Sequence, residues 1–203
     1  MKEASGLVLP PTLQTERLVL RPLRPGDEGA VFAYASDPEV ARWTLWEPHE
    51  SLEASRTFIA DYAYANYRQE VPDPYGIVWR DRPDRLIGTV GCHWASAPHL
   101  TMELGFALGK EYWGRGLITE AGWAALCFAF SICRPNRIQA RCHPDNPSSA
   151  RVLTKLGMRG EGRLRSAACK GSEIWDVQLF ALVRRDWQEY LSTGRAGPPG
   201  APL

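Results

Sequence analysis

The sequence predicts an α+β fold: a mostly antiparallel sheet with helices packed on it. Several short runs alternate apolar and polar residues and are joined by brief turns, which is how antiparallel neighbours are written. Two longer stretches instead place apolar side chains at helical spacing. Strands and helices come in blocks, without the regular βαβ repeat of a parallel sheet.

The elements follow in order. Leu18, Leu20 and Pro22 alternate with Arg17, Val19 and Arg21, giving a first strand. Pro25-Gly26-Asp27 opens a helix carrying Val31, Phe32 and Tyr34, with Asp27 as its N-cap. A second helix spans about Ser51 to Tyr67, with Leu52, Ser55, Phe58-Ile59 and Tyr62-Ala63 on one face. Tyr75 to Trp79 is a strand, Asp81-Arg82-Pro83-Asp84 a turn, and Leu86 to Trp94 the next strand. Ser96-Ala97-Pro98 turns the chain into a third, Thr101 to Leu108. Gly116 to Cys133 is the most apolar segment, a helix buried on most sides and stopped by Pro135. Ile138 to Cys142 is a strand, and a helix starts at Asp145-Asn146-Pro147 and ends at Leu156-Gly157. Strands Gly160 to Ala168 and Ile174 to Val183 complete the set.

Composition bounds the function. The 203 residues carry 24 Lys+Arg against 23 Asp+Glu, with 44% hydrophobic and 23% charged residues, as in a soluble globular domain. A formal net charge of +1 argues against broad capture of nucleic acid. No apolar run reaches the ~18–20 residues that cross a bilayer. Met1 to Gly6 has no apolar h-region, so no cleaved signal and a cytoplasmic location are expected. The five cysteines, 92, 127, 133, 142 and 169, are odd in number and scattered, which suits a reducing compartment. Cys92-His93 and Cys142-His143 lie in strands, where neighbours face opposite ways, so no metal site is expected.

The informative stretch is Thr101 to Gly116. Met102, Leu104, Phe106 and Leu108 share a core face of the strand; Thr101, Glu103, Gly105 and Ala107, on the other, are short apart from one carboxylate. That face leaves room for a ligand, and Gly105 suits a bulge or a close backbone approach. The chain then passes through Gly109, Gly114 and Gly116 into a helix, whose free N–H groups and positive dipole end suit an anion. The loop is not a dinucleotide fingerprint, because Thr119 stands where a third glycine is needed and no acidic residue follows about twenty positions on. No Gly-Lys precedes Ser or Thr, so it is not a P-loop either.

Glu103 to Gly116, the apolar helix after them, and His143 to Met158 together resemble the GNAT superfamily of acyl-CoA N-acetyltransferases. Within it the chain is most similar to the Rim-type branch, which acetylates N-terminal amines of ribosomal proteins and also includes small-amine enzymes. Thr15-Glu16-Arg17-Leu18-Val19-Leu20-Arg21 and Trp175 to Leu182 fit the same branch. The resemblance covers residues 12–190, read as one domain between flexible termini, 1–11 and the turn-rich 191–203.

It implies a mixed sheet with splayed central strands, acetyl-CoA as co-substrate and an amine acceptor. The family's pyrophosphate loop, Gln/Arg-x-x-Gly-x-Gly/Ala, is matched by Glu111-Tyr112-Trp113-Gly114-Arg115-Gly116. Glu111 departs from it, which weakens any phosphate role for that side chain but leaves the backbone donors untouched. The pantetheine arm would pair along a bulged strand, here Leu104, Gly105, Phe106, Ala107 and Leu108, and Asn146 matches the residue that holds it. Ser149 matches the branch's acid for the departing thiolate; the Tyr that many members carry seven residues after the Asn is Leu153 here. Read alone, Asn146 before Pro147 is equally a helix N-cap, Ser149 can simply bond the backbone, and Glu103 reads as a solvated strand residue.

The charge pattern points the same way without the family. Residues 27–75 hold ten acids against three bases, and residues 109–170 eleven bases against four acids. An anionic carrier at one side and a cationic amine at the other would explain that polarity, as would two ordinary solvated surfaces. The expected reaction is direct transfer of acetyl to a primary amine, with Glu103 as general base through water and backbone N–H groups near Gly105 and Phe106 polarising the thioester carbonyl. The expected acceptor is a protein N-terminal α-amino group; the alternatives are a small amine (antibiotic, polyamine or amino acid) or a non-catalytic acyl-CoA-binding module. Trp43, Trp46, Tyr62, Tyr64 and Tyr67 are candidates for the acceptor pocket.

Overall fold

A computed structural model describes residues 9–192. Eight strands form a single sheet in the order β1-β2-β3-β4-β5-β6-β8-β7. They are β1 (Leu13–Gln14), β2 (Leu18–Pro22), β3 (Tyr75–Trp79), β4 (Arg82–Ser96), β5 (Thr101–Leu108), β6 (Arg137–Cys142), β7 (Arg159–Lys170) and β8 (Glu173–Val183). Every neighbouring pair is antiparallel except β5–β6, so the sheet is mixed.

Helices cover both faces. On one lie α1 (Glu28–Ala35), α2 (Pro38–Ala41), α3 (Leu52–Thr57) and α4 (Tyr64–Arg68), the last two joined by a π-helical stretch, Phe58–Ala63. Val31, Tyr34, Ile59, Ala63 and Tyr67 pack there against Leu23, Val78 and Leu86. The other face is the larger core. Leu18, Leu20, Ile77, Val90, Cys92, Met102, Leu104 and Ile138 meet α5 (Leu117–Phe128), whose residues are buried from Leu117 through Leu126. At ~1.5–3 kcal/mol for each large side chain withdrawn from water, α5 is the main apolar contributor to that layer. A second π-helical stretch, Ala129–Cys133, extends it, and α6 (Pro147–Lys155) packs beside it.

The structure revises several expectations. The carboxylate of Asp27 does not cap α1; it accepts both Nη atoms of Arg21 at 2.7 Å and the Arg24 N–H at 2.9 Å. The charged, bidentate Arg21 and the Arg24 N–H thus occupy the oxygens that a capping bond would use. The β3–β4 turn is Arg80-Asp81, and β4 begins at Arg82, because register shifts near Val78 and Trp79 carry Pro83 in an irregular stretch. No bulge falls at Gly105, which stands opposite Gly91 in an unbroken β4–β5 ladder running from Gly88↔Leu108 to Trp94↔Met102. A final helix, α7 (Arg184–Ser192), continues past residue 190, where flexibility was expected to begin. Its Trp187 stacks on Phe130 with ring centroids 5.0 Å apart, a contact across the fold with no local sequence signal. Residues 1–8 and 193–203, with most of the flexible termini expected from the sequence, lie outside the described residues.

Candidate active site

The site begins where the sheet comes apart. β5 and β6 pair only at Thr101↔Arg137, Met102↔Ile138 and Glu103↔Gln139. Beyond Glu103, β5 stays with β4 and β6 stays with β8, so Leu104 to Leu108 turn one backbone edge toward the gap without a β6 partner. A free strand edge of this kind is a template for an extended, amide-bearing ligand. A Cβ built on Gly105 would have no heavy atom of the described residues within 4 Å, so the sheet face beside this edge is open there.

At the C-terminal end of β5 the chain enters the glycine turn. Gly109 leads into a 3-10 turn, Lys110–Tyr112, and the Trp113 indole donates to the Leu108 carbonyl at 2.7 Å. Tyr112 is buried, whereas residues 113–116 are exposed. Gly114 and Gly116 have φ of +76° and +74°, a left-handed backbone that side chains resist. α5 starts immediately after, and among the described residues no side chain caps its N-terminus. The first N–H groups of this 12-residue helix are thus available to an anion, with the dipole adding attraction. Glu111 leans away from that role: its carboxylate lies 3.6 Å from Arg85 Nη2 at the surface.

The turn is anchored from the start of the chain. The fully buried Glu120 accepts the Thr15 hydroxyl at 2.5 Å, the Arg17 N–H at 2.9 Å and Arg17 Nε at 2.6 Å. Arg17 Nη1 then donates to the Arg115 carbonyl at 3.1 Å. Thr15 and Arg17 therefore tie β2, the turn and α5 into one unit.

On the opposite side of the sheet from α5 lies a pocket of about 400 Å³. Gly105, Phe106 and Ala107 form part of its wall, so it meets the gap at the free edge of β5. Tyr34, Trp46, Phe58 and Tyr62 give it aromatic sides, with His49, Asp73, Thr89 and His93 as its polar groups. Burial raises the Tyr34 phenol to about 12, opposed by Thr89, and lowers the His49 imidazole. Glu103 sits beside the pocket, directly across the β4–β5 pair from His93. It is 9% exposed, and both its oxygens are engaged, by Gln139 Nε2 at 2.9 Å and Arg141 Nε at 2.8 Å.

The GNAT acetyltransferase domain model matches residues 17–159 of the chain. The uncharacterized N-acetyltransferase YoaA of Bacillus subtilis is 33% identical over 86% of this chain and 97% of its own length. The chain belongs to the GNAT acetyltransferase family. It is an acyltransferase enzyme of the N-acetyltransferase type. A GNAT-family acetyltransferase from Bacillus anthracis, 28% identical, superimposes with a TM-score of 0.76 over 86% of this chain and 99% of that one. A more distant relative is the ribosomal-protein-serine acetyltransferase of Escherichia coli, 28% identical over 50% of this chain and 57% of its own.

In this GNAT chain the residues singled out from sequence fall into three groups. Leu104 to Leu108 and Glu111 to Gly116 line the gap edge and the turn. Asn146 and Ser149 form the first turn of α6, with Asn146 Oδ1 capping the Ser149 N–H at 3.1 Å, so the capping reading holds for that oxygen. Trp46 and Tyr62 line the pocket, but Trp43, Tyr64 and Tyr67 do not. Trp43 stacks on His143, centroids 4.3 Å apart, with Trp175 edge-on to both. Tyr67 is core, accepting the Leu23 N–H and donating to the Pro74 carbonyl, and Tyr64 packs beside it. Among the described residues no cluster of three His, Cys, Asp or Glu could hold a metal, and no helix is long and apolar enough to cross a membrane. Local sequence offers His93 only as a metal ligand beside Cys92 and gives Asp73 no role, since only the register of β4 against β5 brings His93 to Glu103.

Proposed function

We propose that this enzyme transfers the acetyl group of acetyl-CoA directly to a primary amine, and that the acceptor is a protein N-terminal α-amino group. The observation that carries the reading is the meeting, at Gly105, of two openings: the gap beside the free edge of β5 and the aromatic pocket. A thioester carried along that edge from the turn at Gly114–Gly116 would end where the pocket begins. The N–H groups of Leu117 and its neighbours suit the diphosphate, the edge of Leu104–Leu108 suits the two amides of pantetheine, and Asn146 offers its amide nitrogen from the far side of the gap. Of the adjacent Gly105 and Phe106 N–H groups, which point to opposite edges of the unbroken strand, the one that faces the gap polarises the carbonyl, and the Ser149 hydroxyl returns a proton to the sulfur. An α-amino group of pKa ~8 gives up its proton more readily than a lysine at ~10.4.

One observation favours a second acceptor class: aromatic walls around some 400 Å³ are the right size and character for a small apolar amine. Release of CoA from acetyl-CoA, followed with peptides bearing free N-termini, polyamines and arylalkylamines, decides between them. The peptides are expected to react fastest; faster turnover of the arylalkylamine would transfer the assignment to small amines, and no release with any amine would overturn enzymatic transfer. In the same assay Ser149→Ala is expected to lower kcat at least tenfold with acetyl-CoA affinity unchanged, and a normal kcat would remove it as the acid.

A further inference from the structure

The pocket holds a titratable pair that the reaction as described above leaves unused. Asp73 is 4% exposed, and its Oδ2 accepts the Tyr62 hydroxyl at 2.5 Å and the Asn66 amide at 3.4 Å. Gly91 of β4 lies against it, and a Cβ there would come within 2.2 Å of Oδ1. Only a glycine at that position lets the carboxylate reach into the sheet face. The same oxygen that receives Tyr62 lies 3.5 Å from His93 Nδ1. That contact becomes an ion pair when the imidazole is protonated, and Nδ1 has no hydrogen-bond partner among the described residues. A carboxylate on the Nδ1 side favours the tautomer with its proton there, which leaves Nε2 as the basic nitrogen.

Glu103 is poorly placed to compete. Its oxygens already receive Gln139 and Arg141, so a proton taken there would have to displace a charge-assisted bond. His93 is 36% exposed at its side chain and lines the pocket with Asp73 and Tyr62, and the charges of Asp73, Glu103 and Arg141 act on it. Resting on the acetyl-transfer reading, we propose that His93, held by Asp73, is the group that takes the proton from the acceptor amine, and that Glu103 is a positioning carboxylate.

Two protons leave the nitrogen during transfer. The ammonium form of the acceptor gives the first to the neutral imidazole, which passes it to solvent. The free amine then forms the N–C bond to the thioester carbonyl carbon as the C–S bond breaks, and the second proton ends on the departing sulfur. The electrostatics fit that task. Asp73 raises the His93 pKa above the usual histidine value, burial and Arg141 oppose it, and Glu103 adds to the rise. A base poised near neutral pH is the efficient one. Because the imidazole works only when neutral, kcat falls as pH drops through a value above 6.5, the ordinary histidine pKa.

The test is kcat against pH for the wild-type enzyme and three variants, with the fastest amine of the panel and acetyl-CoA affinity measured beside it. His93→Gln is expected to lose about 100-fold or more in kcat and its acid limb, with acetyl-CoA binding and thermal stability kept. Asp73→Asn and Glu103→Gln are expected to keep the limb and move it to lower pH, Asp73→Asn further. If His93→Gln retains wild-type kcat and limb while Glu103→Gln loses activity at every pH, Glu103 is the base and the assignment is overturned. Should Asp73→Asn disturb folding, the Glu103→Gln shift alone still decides. A wild-type protein that binds acetyl-CoA yet releases no CoA with any amine sinks the transfer reading and this assignment together; transfer that survives His93→Gln sinks only the latter.

Discussion

Gly114→Val is expected to abolish acetyl-CoA binding while leaving the fold intact. The residue sits at φ +76°, and a Cβ there would meet no atom of the described residues within 4 Å, so none of them resists the added side chain by contact. The cost is in the backbone. A left-handed conformation is unfavourable by roughly 1–2 kcal/mol for an ordinary L residue and more for a β-branched one. The turn would relieve it by rotating away, which swings the N–H groups before Leu117 off their common direction. Any valine that did stay in register would fill the space the diphosphate needs. Calorimetry with acetyl-CoA is expected to show at least a hundredfold weaker binding, with a melting temperature within a few degrees of wild type. Undiminished binding would place the diphosphate elsewhere.

Glu120→Ala is expected to be the most destabilising single change in the site. The carboxylate is fully buried and receives three donors from the segment between β1 and β2. Removing it leaves the Thr15 hydroxyl and the Arg17 N–H without an acceptor and the guanidinium without its counter-charge. Breaking a fully buried pair costs ~3–5 kcal/mol; the Arg17 side chain is 37% exposed, so about 2–4 kcal/mol is the better figure here. For a domain of this size that lowers the melting temperature by roughly 5–15 °C. The Arg17 bond to the Arg115 carbonyl loosens with it, so acetyl-CoA affinity is expected to fall as well. Glu120→Gln keeps an acceptor oxygen and should lie between the two. A melting temperature unchanged in Glu120→Ala would show that the anchor contributes nothing.

Much of this arrangement is written locally. The alternation of Met102, Leu104, Phe106 and Leu108 names the core face of β5, and the glycines at 114 and 116 announce a left-handed turn before an apolar helix. Asn146-Pro147 specifies a helix start and delivers one. What local patterns cannot hold is the pairing of distant residues. His93 faces Glu103 because β4 and β5 share one register, and Asp73 reaches His93 because Gly91 makes room. Glu120 reads as a polar residue on an apolar helix until Thr15 and Arg17, about a hundred positions earlier, bury it. The aromatic residues divide for the same reason: Trp46 and Tyr62 face the pocket, while Trp43 serves a stack with His143 and Trp175 that no spacing announces. No local pattern announces α7, because its one buried side chain, Trp187, packs on the distant Phe130.

Titration of the pure protein with acetyl-CoA and, in parallel, with acetyl-pantetheine tests the site most directly. The two ligands share the thioester and both amides and differ by the nucleotide and its phosphates. Saturable one-to-one binding of acetyl-CoA, with acetyl-pantetheine at least a hundredfold weaker, is the predicted result. Equal affinity for the two, or no saturable heat with acetyl-CoA, would mean that the turn at the head of α5 grips no diphosphate.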